Sequence, residues 1–350
     1  MSNTALKKAE AAQPAPVENL AALHKALADP LRLTILRLLS NESFGVLELC
    51  QVLDIRQSGL SHHLKVLANA HLVSTRREGN SIFYRRAFLT NDDPYRDLKA
   101  RVFEQVDAQP VSQQAWRKIR QIQLERSQLS LNFFNRNAGK FLEKQGLIVA
   151  HNEYAATLHD VIDSLSLPDD PRVLEVGPGE GQMLVELAGK FAGLTALDNS
   201  PDMLEHSRQA VADAGYQHVH FILGDTAVAR AEKVRADLIL FEMVLHHISS
   251  PAETFRDCAE LLAPEGYLLI VDLAPHDQDW VRDSCGDLWL GFEKQELERW
   301  AESVGLQVNQ GSYLQLRNGF QIQIRVFQKG THDTSTTLNT NTTFNTKRKS

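Results

Sequence analysis

The run Val173-Leu174-Glu175-Val176-Gly177-Pro178-Gly179-Glu180-Gly181 constrains the fold of this chain more than any other stretch. An apolar segment with an acid near its end meets three glycines at alternate positions, which reads as a buried strand opening into a helix. Glycine lets the backbone turn sharply and approach a ligand with no Cβ in the way. The spacing is G-x-G-x-G, not the dinucleotide fingerprint G-x-G-x-x-G. A second acid, Asp198, ends the next apolar run about 20 residues on, where a carboxylate would meet ribose hydroxyls. The glycines alone are explained by a tight strand–helix turn. With Glu175 and Asp198 beside them, the pattern reads as a nucleoside-sized pocket.

A chain of 350 residues is long for one domain, and two is the natural expectation. The net charge of −7 argues against a protein that coats nucleic acid along its length. The charge is unevenly placed: His24–Thr90 carries nine Lys/Arg against five Asp/Glu, +4, which leaves −11 for the rest. Cys50, Cys258 and Cys285 are too scattered for a chelating or redox pair and suit a reducing compartment. No run approaches the ~20 apolar residues of a membrane span, so a cytoplasmic protein without a membrane partner is expected. Residues 1–18 and the Thr/Asn-rich 331–350 are expected to be disordered.

Residues 19–92 read as a small helical domain ending in a hairpin. Leu20–Leu27 forms a short helix, and Asp29-Pro30 caps a second, with Leu31, Ile35, Leu38 and Leu39 on one face. Val46–Leu53 makes a third helix and a fourth runs from Arg56 to about Asn69. Leu60, Leu64 and Leu67 are its buried stripe, with His63 partly buried beside them. Its other face, Gln57, Ser58, Ser61, His62 and Lys65, holds donors and acceptors and no acid, which suits base edges and phosphates in a major groove. Leu72–Arg77, Glu78-Gly79-Asn80 and Ser81–Arg86 give strand, turn and strand. Helix–turn–helix followed by a basic hairpin is a winged helix, in which Arg76 and Arg77 would reach the DNA backbone or minor groove.

Leu27-Ala28-Asp29-Pro30-Leu31-Arg32, Gln57–Leu67 and Arg77-Glu78-Gly79, in that order, closely resemble the ArsR family of bacterial repressors over about His24–Thr90. The resemblance implies a homodimer on a palindromic double-stranded operator, with the fourth helix in the major groove. This chain departs from the family's metal sensors. Gly45 and Leu47 stand where arsenic sensors carry a cysteine pair, and Tyr95–Val106 holds no histidine for a zinc site. Cys50, His62 and His63 lack a metal-ligand spacing. No metal is expected, and the signal must enter elsewhere.

Residues 93–132 read as a helical connector. Tyr95, Leu98, Val102, Phe103 and Val106 recur at helical spacing and are expected to pair with a second copy. Gln128–Phe141, with Leu131, Phe133 and Phe134, is expected to dock on the domain that follows.

From 133 to 330 helices and strands alternate, as in an α/β domain whose mostly parallel sheet is covered on both faces. The expected strands are Arg172–Glu175, Gly193–Leu197, Val219–Leu223, Asp237–Phe241 and Tyr267–Val271. Leu306–Tyr313 and Phe320–Phe327 flank Arg317-Asn318-Gly319 and read as an antiparallel edge hairpin. Glu175, Asp198, Asp225 and Glu242 then stand at carboxyl ends of strands, where ligands of such sheets sit.

Val173–Gly181, Leu197–Leu204, Gly224-Asp225, Val244-Leu245-His246-His247-Ile248 and Leu262–Tyr267 resemble, in order, the Rossmann-like class I S-adenosylmethionine-dependent methyltransferases over about Phe133–Gln328. The resemblance implies S-adenosylmethionine or S-adenosylhomocysteine as ligand. Glu175 would face its methionyl end and Gly177, Gly179 and Gly181 would line it. Asp198 would accept from the ribose, Met203 would pack on the adenine and Asp225 would take its amino group. Asn199, Thr226 and Glu242 complete the implied set. His246 and His247 are the base candidates, but such a pair recurs with very different acceptors, so a structural or cofactor-covering role is the leading expectation for them. Asp272, His276 and Asp277, after the fifth strand, are either acceptor-side groups or part of a solvated loop. Cys258 and Cys285 are too few for an arsenic methyltransferase, and Phe241-Glu242-Met243-Val244 lacks the Asn/Asp-Pro-Pro-aromatic motif of base methylation. The leading expectation is a regulator that senses this small nucleoside. The alternative is a small-molecule methyltransferase that represses its own operon.

Overall fold

The computed structural model describes residues 17–331 apart from 80 and 138–147. Most of the two ends expected to be disordered, and residues 138–141 of the docking segment, lie outside the described residues. Val17 and Glu18 are an exception, since they already belong to the first helix. The described chain falls into two compact units. One runs to Leu129 and takes in Asp277–Arg282; the other comprises Ser130–His276 and the chain from Asp283.

In the first unit, α1 (Val17–Leu27), α2 (Pro30–Leu38), α3 (Val46–Leu53) and α4 (Gln57–Asn69) precede β2 (Val73–Glu78) and β3 (Ser81–Arg86). A two-residue strand, β1 (Phe44–Gly45), adds to β3 and makes a three-stranded sheet in the order β1-β3-β2. Asp29 caps α2 by accepting from the Arg32 amide at 3.0 Å, with Pro30 in the first turn where its missing N–H costs nothing. Leu60, Leu64 and Leu67 of α4 are fully buried against the other helices.

Helix α5 (Arg96–Asp107) corrects one expectation. Its Phe103 and Val106, with Tyr95 and Val102, pack into the core of their own unit, and only Leu98 of that stripe is left substantially exposed. Helix α6 (Gln113–Asn137) buries Ile119 and Ile122 in the same core. Arg126 on α6 clamps α3: its guanidinium donates to both Glu48 oxygens, at 2.9 and 2.6 Å, and to the Ser43 carbonyl at 3.1 Å. The boundary between the units falls within α6, between Leu129 and Ser130.

The second unit is built on a seven-stranded sheet in the order β6-β5-β4-β7-β8-β10-β9. Its strands are β4 (Arg172–Val176), β5 (Gly193–Asp198), β6 (His220–Leu223), β7 (Ala236–Glu242), β8 (Leu262–Leu273), β9 (Leu306–Gln315) and β10 (Gln321–Lys329). The first five run parallel, and β10 lies antiparallel between β8 and β9. The Asn318-Gly319 turn thus produces the expected edge hairpin, with Gly319 at φ +91°. β4, β7 and β8 are apolar on both faces because helices cover both, which is why they read as continuous hydrophobic runs. Order reverses at β4, whose neighbours are β5 and β7, and a ligand crevice opens at such a point.

Candidate functional site

The glycine loop leaves β4 in a conformation that only glycine takes easily. Gly177, Gly179 and Gly181 have φ of +67°, +56° and +83°. A Cβ on Gly177 would stand 2.3 Å from the Val244 Cγ2, so the loop can lie this close to the turn after β7 only without a side chain. The Gly177 amide donates to the Leu197 carbonyl and the Gly224 amide to the Asp198 carbonyl, each at 2.8 Å, which ties the ends of β4, β5 and β6 together.

Glu175 lies beneath this loop, 1% exposed, and neither carboxylate oxygen has a hydrogen-bond partner among the described residues. Burial, and after it the charges of Glu242 and Glu186, push its carboxyl well above the usual range. Asp198 accepts from the Ser200 amide at 2.8 Å. Burial raises its carboxyl to about 6 although the Ser200 and Asn199 amides pull it down. A cation beside Glu175 and hydroxyl donors beside Asp198 would each ease a carboxyl that burial holds above its usual range.

The remaining expected residues divide. Met203 is buried in α7 (Pro201–Asp213), which Ser200 caps, and Phe134 of α6 packs on it. Asn135, beside Phe134, accepts from the Ser200 hydroxyl at 2.8 Å. Asn199 and Asp225 are exposed, and Asp225 caps the following short helix by accepting from the Val228 amide at 3.1 Å. The Thr226 hydroxyl is already committed to Asp257 at 2.8 Å in a buried contact. Glu242 accepts from the Tyr154 hydroxyl and faces His151 Nδ1, both at 2.7 Å. His151 Nε2 lies 3.1 Å from Glu186. Burial draws the His151 imidazole down, but Glu242 and Glu186 outweigh it and hold it at about 9. His151, Tyr154 and Glu186 were not singled out in the sequence, since their partners lie up to 91 positions away.

His246 and His247 sit buried on a tight turn after β7, with ring centroids 4.0 Å apart. His246 Nδ1 is 2.7 Å from Asp272 Oδ1, and the His246 amide also points to that carboxylate at 3.3 Å. Asp272 is therefore a fully buried partner of His246 rather than a loop acid. Burial lowers the His246 imidazole, and Asp272 with Asp287 overcomes it to hold the ring at about 9. Burial and the charge of His246 drive His247 well below the usual range. Phe134 meets His247 edge-on at 4.8 Å. His276 packs on Phe320, and Asp277 is exposed.

In the first unit Gln57, Ser58, Ser61, His62 and Lys65 all lie on the exposed face of α4. His63 is turned inward, its Nδ1 3.7 Å from Asp29. Arg77 is exposed and its Nε donates to the Gly79 carbonyl at 2.9 Å, whereas Arg76 is largely covered and pairs with Glu78. No helix among the described residues is long and apolar enough to cross a membrane.

Residues 29–75 match the family model for bacterial regulatory proteins of the arsR family, and residues 149–322 match a methyltransferase domain. The biofilm growth-associated repressor of Agrobacterium fabrum is 50% identical over 68 residues, 19% of this chain and 58% of that protein. The ubiquinone biosynthesis O-methyltransferase of Serratia proteamaculans is 27% identical over 117 residues, 33% of this chain and 48% of that protein. The chain thus spans about half the length of the curated relatives it matches. Among solved structures, magnesium protoporphyrin IX methyltransferase from Synechocystis PCC 6803 with bound SAM aligns at TM-score 0.46 and 14% identity. That alignment covers 59% of this chain and 97% of the other.

Proposed function

Because the chain joins an arsR-family DNA-binding segment to a methyltransferase domain, we propose that it is a transcriptional regulator. Its second unit binds S-adenosylmethionine or S-adenosylhomocysteine as the signal. The observation that carries this reading is Glu175, a carboxylate buried without a partner under a glycine loop at the point where strand order reverses. The ammonium of the ligand's methionyl group supplies the missing partner, Asp198 accepts from the ribose, and Met203 lies against the base.

Helix α6 gives the signal a route. Its last turns, through Phe134 and Asn135, touch residues of the pocket wall, and its middle, through Arg126, clamps α3 of the winged helix. Gly45 and Leu47 stand where the family's arsenic sensors carry their cysteine pair, so this reading takes the signal from the second unit. A homodimer on a palindromic operator would cover Leu98, Trp116, Leu124 and Leu129 of α5 and α6, which are 36, 42, 65 and 66% exposed. On the DNA, Gln57, Ser58, Ser61, His62 and Lys65 face the major groove and Arg77 the backbone, while Arg76 supports the hairpin.

The second reading, an active methyltransferase, draws on one observation: His246 is oriented by the buried Asp272, as a general base would be. One experiment separates the two. Each ligand is titrated into the full chain bound to DNA upstream of its own gene, and labelled-methyl transfer is run in parallel on cell extract. A ligand-dependent change of 5- to 150-fold, roughly, in DNA affinity without transfer is expected. Robust transfer with DNA binding indifferent to both ligands would overturn the sensor.

A further inference from the structure

Adjacent histidines on a regular helix diverge, but on the tight turn after β7 His246 and His247 converge on one carboxylate, Asp287. One ligand-type atom from each of the three side chains lies within 4.8 Å of the others, and all three residues are buried. His246 Nε2 is 3.8 Å from Asp287 Oδ1, and His247 Nδ1 is 3.9 Å from the same oxygen. We propose that His246, His247 and Asp287 form a site for a divalent d-block cation of the zinc class, with Asp272 orienting His246 behind it.

The surroundings are those of a built site. Asp272 takes the His246 Nδ1 at 2.7 Å and leaves Nε2 directed to the cluster, the carboxylate–histidine–metal arrangement that fixes ring and tautomer. The segment carrying Asp287 is stitched to the histidine turn by the Leu288 and Trp289 amides, both donating to the His246 carbonyl at 3.1 Å. The Trp289 indole donates to the Ile248 carbonyl at 2.8 Å. Ligand atoms about 2.0–2.1 Å from a tetrahedral zinc stand roughly 3.3 Å apart, so these side chains need to draw in by about 0.5–1.5 Å.

Charge favours occupation. Two carboxylates, Asp272 and Asp287, face two imidazoles whose rings are too close for both to become cations. A divalent cation on neutral imidazoles balances the two carboxylates. Two imidazoles and one carboxylate suit zinc, cobalt or nickel and disfavour calcium and magnesium, which take oxygen ligands. Three protein ligands are one short of a closed structural zinc site, so the cation keeps a position for water or for an oxygen or sulfur atom of a small molecule. Nothing in this inference requires the nucleoside reading of the neighbouring pocket.

The test uses the full, untagged chain, stripped with a chelator and titrated with Co²⁺ alone, read by visible absorption and by equilibrium stoichiometry. One Co²⁺ per chain, with d–d bands of low coordination that Zn²⁺ displaces, is expected. Asp272→Asn should weaken binding by about 10–100-fold, and His247→Ala and Asp287→Asn by more, with His206→Ala unchanged. Thermal melts establish that each variant is folded. A wild-type titration without a one-to-one cobalt spectrum overturns the site whatever the variants do. So does cobalt binding that survives both His247→Ala and Asp287→Asn.

Discussion

Replacing Asp198 by Asn should make the ligand-free protein more stable and the ligand useless to it, and the size of the first effect follows from the pocket. Burial holds the Asp198 carboxyl at about 6 against an ordinary 3.8. A raised carboxyl favours the folded state fully below pH 3.8, and that advantage is lost as pH rises through about 6. The distance corresponds to a cost of about 3 kcal/mol at pH 8 and about 1–2 kcal/mol at pH 5. Asn keeps the oxygen that accepts from the Ser200 amide and removes the charge. The gain for Asp198→Asn is therefore at most about 3 kcal/mol at pH 8, or roughly 6–12 °C in Tm for a unit of this size.

The assay is calorimetric melting of the full chain at pH 5 and pH 8, with and without S-adenosylhomocysteine. The transition that ligand raises in the wild type identifies the second unit, and saturation at a hundred times Kd should raise it by about 2.7 kcal/mol. In Asp198→Asn that response should vanish, because two hydrogen bonds to a charged acceptor are lost at about 1.5–3 kcal/mol each. The reasoning fails if Asp198→Asn is less stable than wild type at pH 8, if its advantage does not grow from pH 5 to pH 8, or if ligand still raises its transition.

Glu175→Gln should not destabilise the ligand-free protein, since burial and the neighbouring acids already disfavour the charge that Gln removes, while isothermal titration should show ligand affinity down by about 100-fold or more. In the wild type, ligand affinity should fall as pH drops through the raised Glu175 value, because the ammonium needs the carboxylate, and Glu175→Gln should abolish that slope. Lys65→Ala on the exposed face of α4 should weaken operator binding and reduce the salt slope measured by fluorescence anisotropy by about one unit, with ligand affinity unchanged. Arg126→Ala should destabilise the first unit by about 2–3 kcal/mol in denaturant melts, less than the 3–5 of a fully buried pair because Glu48 keeps some contact with water. Leu129→Pro, at a position 66% exposed, loses little packing but breaks α6; ligand binding and DNA binding should each persist while ligand ceases to alter DNA affinity.

What could be read from the sequence was whatever depends on neighbours along the chain. The α4 face, the Asp29-Pro30 cap, the parallel strands and the edge hairpin are set by local periodicity, capping and turn chemistry, and the structure reproduces them. Glu175 and Asp198 were legible because a strand end and a glycine turn place them. Asp287 was not, since it sits on a loop about 40 residues beyond the histidines and is brought to them by long-range contacts such as those of the Leu288 and Trp289 amides with the His246 carbonyl. The network of His151, Glu186 and Glu242 was hidden for the same reason. For α5, the apolar spacing announced a buried face but could not say whose surface covers it. Tyr95, Phe103 and Val106 turned out to cover their own core.

The two strained acids also bear on how a ligand could signal at all. A ligand shifts a conformational equilibrium only by the difference in its affinity for the two states, and a tight but indifferent ligand shifts nothing. On the proposed reading, a large part of the binding energy would come from relieving Glu175, whose carboxylate has no hydrogen-bond partner among the described residues, and Asp198, which burial makes costly to ionise. That relief requires the loop, the Ser200 cap and the Met203 platform to be assembled, and Asn135 and Phe134 of α6 complete the last two. An arrangement in which the end of α6 leaves this wall forfeits part of the relief. Forfeiting only ~1.4 kcal/mol makes a tenfold difference between states, which is within the range of a regulatory coupling. The same residues could serve a methyl transfer, but the regulatory reading alone requires that Phe134 and Asn135 lie on the helix whose Arg126 clamps α3. Arg126 and Phe134, two turns apart on one helix, are therefore the pair on which the regulatory reading depends.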